Sequence, residues 1–421
     1  MATVTAICTG LALLVLALLA ITAGIRNSDK REKRANGGPA SIFVAALAYV
    51  VVLAPVVMPY GLVLATALLL IVVIALPAIA SGLAVKTRAR LGDKAGVVYD
   101  WAGVVVSFAL LAGILATAGS VLSLMGGVNR MLVTAVIGLA GAGYLLAQGR
   151  EAASRTSRWT VAVAFIIPAI LLLGGAVVSK PEVLIDSLVP YQALPLGTAA
   201  ALVLGVGACG FLDPAMGLTL RGSQKPGKAA LWGAVIAAAF VLVFGLGLIL
   251  LYGGAFVAPT LQAFLLAAAP ALAIGYFMFF VVFVLASAAD TQLAAASEVA
   301  AQDTSYRRRR PVTAAIIVLA ILLAMFVPAP GQIFAVAATI AAAAFGAILP
   351  AVSGKLPDLA PLPGVIVGLV GAIIVAVIMG VTSALTFGTA TVVCLIVAFV
   401  LALVTSAVVG KRQPTTEPAA A

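Results

Sequence analysis

Near residue 290 a long apolar run gives way to side chains that can hold a cation or a proton. In "FVLASAADTQLAAASEVAAQDTSYRRRR", residues 283–310, Ser287, Asp290, Thr291 and Glu298 follow a membrane-like stretch. At 3.6 residues per turn, Ser287, Thr291, Ala294 and Glu298 share one helix face. Such a face is either one wall of an ion and solute pathway or a helix end emerging into water. Emergence into water accounts for Glu298, Asp303 and the arginine run, but only in part for Ser287. A second candidate is Asp213, in "LGVGACGFLDPAMG", the acid deepest in any apolar segment. Acids inside a membrane mark ion and solute routes by default. A local charge pair with Arg221, about two helical turns on, is the alternative. Asp100, flanked by Tyr99 and Trp101, reads as an interface residue with a lesser claim to a gating role.

These side chains need a scaffold, and composition defines its class. Of 421 residues, 64% are hydrophobic and only 9% charged, too few charges to keep a chain of this size in water. The apolar runs are long and continuous rather than alternating, which predicts a polytopic α-helical membrane protein and excludes a β-barrel. The chain has no histidine, so histidine metal sites, haem ligation and proton relays are excluded. Cys8, Cys209 and Cys394 stand alone in apolar surroundings and read as small hydrophobes. No acid pair faces across mid-membrane helices and no ligand cluster is visible, so an intramembrane enzyme is not expected. No cofactor is expected beyond a coupling Na+.

Apolar length places about thirteen spans, near 4–25, 41–59, 61–85, 97–124, 131–148, 159–179, 195–219, 229–253, 264–290, 311–328, 332–350, 362–383 and 386–409. Loop charge tests that count. Alternate loops and the tail hold 22 of the 24 lysines and arginines, and the other side holds only Arg130 and Lys180. The positive-inside rule then sets the N-terminus outside and the C-terminus in the cytoplasm of a cell membrane. The first apolar stretch has its basic residues after it, as in a retained span rather than a cleaved leader. The net charge of +11 follows from the same rule, and its scatter over short loops does not suggest nucleic acid. No soluble domain is visible, and a monomer is sufficient for this architecture.

With the first span set aside, two sets of five remain, 41–180 and 181–350. Five is odd, so the sets run in opposite directions. Two C-terminal helices occupy 351–410, before a disordered tail at 411–421. Each set should open with an interrupted helix: "VVLAPVVMPYG" in the first, with Pro55 and Pro59, and the glycine-rich stretch around Gly205, Gly207, Gly210 and Pro214 in the second. An interrupted helix frees backbone carbonyls that suit a cation, and a half-helix N-terminus that suits a carboxylate. Simple kinking or close packing of helices is the alternative reading.

Four stretches, residues 80–101, 123–176, 205–255 and 283–306, resemble in order the sodium:solute symporter family, and within it the cation/acetate symporter branch. The likeness lies in the basic loop after the third span, a central helix pair, a glycine-proline helix with its basic loop, and the helix ending "LAAASEVAAQDTSY". It implies a LeuT-like inverted-repeat fold, alternating access, and symport of a small solute, a monocarboxylate such as acetate, with a cation. It also implies a sodium site between the second and ninth spans. Ser287 stands where many members carry the first of two hydroxyls, and Ala288 stands in place of the second, with Thr291 one turn on. The expected cation contacts are therefore Ser287, Thr291 and backbone near Ala54. Tyr49, Pro55, Gly207, Gly210 and Asp213 are the expected solute contacts. The alternative function is a non-transporting relative that scaffolds or regulates a partner, favoured by the missing hydroxyl and a second span poor in polar residues.

Overall fold

The computed structural model describes residues 7, 10–19, 39–57, 60, 62–88, 92–126, 128–148, 153, 156–166, 193–221, 225–252, 274–301, 306–327, 330–352, 366–367, 370, 374 and 387–412. Every regular element among them is helical. The helices are α1 (Gly10–Leu19), α2 (Pro39–Val57), α3 (Leu62–Leu68), α4 (Leu76–Arg88), α5 (Gly92–Gly126) and α6 (Arg130–Gln148). Then come α7 (156–166), α8 (Leu196–Leu212), α9 (Pro214–Arg221), α10 (Pro226–Tyr252), α11 (Ile274–Ala300), α12 (Tyr306–Phe326), α13 (Pro330–Val352) and α14 (Phe387–Arg412). Among the described residues six helices are long and apolar enough to cross a membrane, and the bent pair α8–α9 makes a seventh. The chain is a multi-pass membrane protein. Parts of the expected sixth, ninth and twelfth spans lie outside the described residues, as do Pro59 and Asp303.

Apolar sequence alone does not place a helix: one with no polar face lies against lipid or is enclosed by other helices. Enclosure is greatest along Gly96–Ser123 of α5, with 89% of its most apolar window buried. Around it pack α2, α6, α8, α11, α12 and α13. Close approach needs small residues, and α5 supplies them. A Cβ added at Gly113 would lie 2.9 Å from Val52 of α2, and one at Gly119 would overlap the Thr134 hydroxyl of α6. Aromatic edges fill the wider gaps: Phe211 meets Tyr99 at 5.7 Å and Phe345 at 5.0 Å between ring centroids.

Two irregularities distinguish the observed bundle from the expected one. Of the two expected interruptions the second is observed, Pro55 of the first interrupts no helix, and Pro59 lies outside the described residues. Between α8 and α9 the axis bends by 51° at Asp213. Where the first interruption was expected, α2 runs unbroken from Pro39 to Val57, with Ala54 and Pro55 in its last turn. Pro55 removes the one hydrogen bond that would reach the Val51 carbonyl, a loss confined to the end of α2, so it need not open the middle. The neighbouring span carries the irregularity instead. Between α3 and α4, Leu69–Ala75 widens into a π-helical turn, and the Leu76 N–H reaches back to the Ile71 carbonyl. Pro77 follows at once. Proline cannot donate to the carbonyl four residues back and its ring crowds that carbonyl, so a widened turn just ahead of it relieves the conflict.

Candidate functional site

The break between α8 and α9 is built by its own sequence. Asp213 is extended (φ −60°, ψ 111°), the conformation favoured for a residue before a proline. Pro214 then occupies the first position of α9, where its missing N–H costs nothing. Asp213 caps that helix: its Oδ1 accepts the Ala215 N–H at 2.8 Å. The sequence reading expected the half-helix N-terminus to receive a carboxylate from outside. It does receive one, and the carboxylate belongs to Asp213 itself.

Three side chains from other helices converge on this carboxylate. The Tyr49 hydroxyl of α2 donates to Oδ2 at 3.1 Å, and the Ser107 hydroxyl of α5 donates to Oδ1 at 3.2 Å. Gln292 of α11 approaches the same carboxylate, but outside hydrogen-bond geometry, and neither of its polar atoms has a partner. Asp213, Tyr49, Ser107 and Gln292 are all buried. Among the described residues no lysine or arginine bonds Asp213, and the Arg221 side chain lies outside them. The cluster is a buried carboxylate among neutral donors.

One face of α5 holds the break in place. Tyr99, Gly103 and Ser107 recur every four residues and so lie along one stripe. They meet successive residues of the break. The Tyr99 hydroxyl donates to the Phe211 carbonyl at 2.6 Å, Gly103 lies under Leu212, and Ser107 reaches Asp213. A Cβ added at Gly103 would overlap the Leu212 carbonyl oxygen. That neighbour is backbone and cannot swing aside. We expect Gly103→Ala to cost about 1–3 kcal/mol through overpacking. Thermal unfolding of the purified protein checks this, with Gly141→Ala as the control. Gly141 has open space around its Cβ direction and lies mid-helix, so its alanine variant should raise stability by about 0.5–1 kcal/mol.

A second buried polar group lies on α11. Ser287, Asp290, Thr291 and Ser297 are buried, so this is not a helix entering water. The Thr156 hydroxyl of α7 lies 2.9 Å from Asp290 Oδ2. The Thr291 hydroxyl lies 3.0 Å from the Ser287 carbonyl and 3.2 Å from Asp290 Oδ1. The Ser287 hydroxyl is fully buried and has no partner. Two turns past Thr291, Glu298 pairs with Arg309 of α12 at 3.4 Å.

The expected site residues therefore divide. Tyr49 and Asp213 are brought into contact, and Ser287 and Thr291 stand together on α11. Ala54 is buried on α2, which packs against α11. Pro55 lies in an intact helical turn. Gly207 and Gly210 serve packing: an added Cβ would meet Leu76 at 3.3 Å at the first and overlap the Pro77 Cα at the second. They let α8 press against the start of α4, just past the widened turn. Asp100 is an ion-pair residue, with Arg88 Nη2 2.8 Å from its Oδ2 and Arg88 Nε 3.1 Å from its Oδ1. Sequence reasoning missed Ser107 and Gln292 and left Asp290 without a role. Ser107 is the lone hydroxyl in "VVVSFALL", and its spacing from Tyr99 and Gly103 was the available signal.

Among the described residues no cluster of three histidine, cysteine or acidic side chains could hold a metal ion. No protein-family model matches the chain, and no curated protein matches it by sequence. Solved structures do. A Na+-coupled sialic acid symporter in its substrate-bound outward-open state matches with a TM-score of 0.63 at 15% identity, over 96% of this chain and 98% of that one. A mutant manganese transporter of Eremococcus coleocola matches with a TM-score of 0.50 at 14% identity, over 91% and 96%. The chain shares the fold of these two proteins along nearly its whole length.

Proposed function

We propose that this protein is a secondary active transporter, coupling a cation gradient to the movement of a small organic solute by alternating access. One observation carries the reading. A buried carboxylate sits at the only bent pair of membrane helices among the described residues, bonded by hydroxyls from two other core helices. Burying charge in a membrane protein is costly and is tolerated where the charge serves an ion or solute. A break in mid-helix exposes backbone where a passing solute can use it. Shared fold with a Na+-coupled symporter agrees with this chemistry.

The two polar groups divide the work. Tyr49, Ser107, Asp213 and Gln292 bind the solute. Ser287 and Thr291, with Asp290 added, hold the coupling cation, for which Na+ is the first candidate. All offer oxygen donors, which a hard cation prefers. Backbone near Ala54 completes the cation site as α2 moves against α11. Two five-helix repeats, 41–180 and 181–350, supply the moving bodies, with the N-terminus outside the cell. A monocarboxylate such as acetate fits beside Asp213 only with a cation between the two carboxylates, since like charges in a dry site repel strongly.

Reconstituted protein tests the reading. Uptake of labelled amino acids and monocarboxylates is measured with an inward Na+ gradient, an inward proton gradient, or neither. We expect gradient-dependent accumulation of at least one solute. No accumulation of any, from protein that is monodisperse and folded, would favour the non-transporting scaffold instead.

A further inference from the structure

We infer that the solute carries a protonated amine, received by Asp213, and beside it a carbonyl or carboxylate oxygen, received by the Gln292 carboxamide. This inference rests on the reading of the Asp213 cluster as a solute site. Its starting point is unused bonding capacity. A carboxylate has roughly four acceptor directions. Asp213 uses two on Oδ1, for Ala215 and Ser107, and one on Oδ2, for Tyr49. What remains is an acceptor with negative charge.

Gln292 supplies the second half. Its side chain is fully buried, it approaches the same carboxylate, and neither its Nε2 nor its Oε1 has a hydrogen-bond partner. Buried carboxamides nearly always have a hydrogen-bond partner, so one that finds none in the protein and faces a carboxylate is open to a ligand. Tyr49 and Ser107 spend their hydroxyl protons on Asp213. The free donor of the cluster is therefore the Gln292 N–H2, and the free charge is negative. A bare carboxylate meets a donor but also a repulsive charge. A bare amine satisfies the charge and leaves the carboxamide unpaired. A molecule with both groups close together satisfies both, as an amino acid or its amide does.

Thermal stabilisation of the detergent-purified, full-length protein tests this with matched probes. These are the standard amino acids, the amines left by removing their carboxylates, and the acids left by removing their amino groups. We expect one or more amino acids to raise the unfolding temperature and the matched acids to leave it unchanged. Gln292→Leu should weaken that amino acid by about tenfold or more, as for a lost hydrogen bond to a charged group, and leave the matched amine unchanged. A matched acid binding as well as its amino acid would overturn the inference. So would full amino-acid affinity in Gln292→Leu, or no binding by any amino acid or amine. If Gln292→Leu does not fold, the amino acid and acid comparison on the unaltered chain decides alone. Binding without gradient-driven uptake would sink the transport reading and leave this inference standing. Gradient-driven uptake of a bare carboxylate would do the reverse.

Discussion

Asp213→Asn should reduce gradient-driven uptake on the order of 100-fold while leaving the protein folded, a loss of the size expected when a buried charged contact is removed. The substitution is chosen because Asp213 has two roles that different replacements separate. As the cap of α9 it bonds the Ala215 N–H, and asparagine caps a helix about as well. Asparagine's oxygen also accepts the Ser107 hydroxyl, and its amide donates to the Tyr49 oxygen, so each neighbour keeps a bond although the Tyr49 proton loses its acceptor. The main loss is the charge. Asp213→Ala removes the cap, worth about 1 kcal/mol, and strands the two buried hydroxyls at about 1–3 kcal/mol each. Alanine should therefore lower the unfolding temperature clearly, and asparagine only slightly. If Asp213→Asn transports at the original rate, Asp213 is a structural cap and the solute site lies elsewhere.

How much of this site the sequence revealed depends on how each residue advertises itself. A glycine-rich run ending in Asp-Pro inside an apolar segment has few structural outcomes, and the bend at Asp213 could be read directly. Proline is a weaker signal when its depth along the helix is unknown. Pro55 was expected to interrupt a span and lies in the last turn of an intact one. The widened turn at Leu69–Ala75 gave no sign, because "LLIVVIA" is an ordinary membrane sequence and its cause, Pro77, lies just beyond it. On α11 the chosen face ran through Ser287, Thr291 and Glu298. Gln292 lies about 100° around the helix from Thr291, so a single-face reading left it out. Its importance comes from what faces it, a carboxylate 79 positions earlier in the chain, and no periodicity within one helix encodes that. Ser107 was hidden for the same reason. The architecture was legible because lipid demands long apolar helices. The site was half legible because contacts between helices are set by packing.

Ser287→Ala should raise the stability of the protein in Na+-free buffer and reduce the stabilisation that Na+ provides. A buried hydroxyl without a partner costs about 1–3 kcal/mol in desolvation, and replacing it with a methyl group is neutral or favourable. The Ser287 hydroxyl is such a group, fully buried and unbonded. Ser297, ten residues further along the same helix, is the control. It is also buried, but its hydroxyl donates to the Ala294 carbonyl at 3.1 Å, so Ser297→Ala should lower stability slightly or leave it unchanged. The opposite signs separate a hydroxyl kept for a ligand from one kept for its helix. Transport supplies the second readout: Ser287→Ala should raise the Na+ concentration for half-maximal uptake about tenfold or more, as expected for one lost ligand to a charge. Ser287→Thr, which keeps the oxygen, should recover part of that loss. If Ser287→Ala destabilises the protein as much as a packing mutation and keeps its Na+ dependence, the hydroxyl is no cation ligand. Asp290, held by Thr156 and Thr291, would then be the remaining candidate on α11.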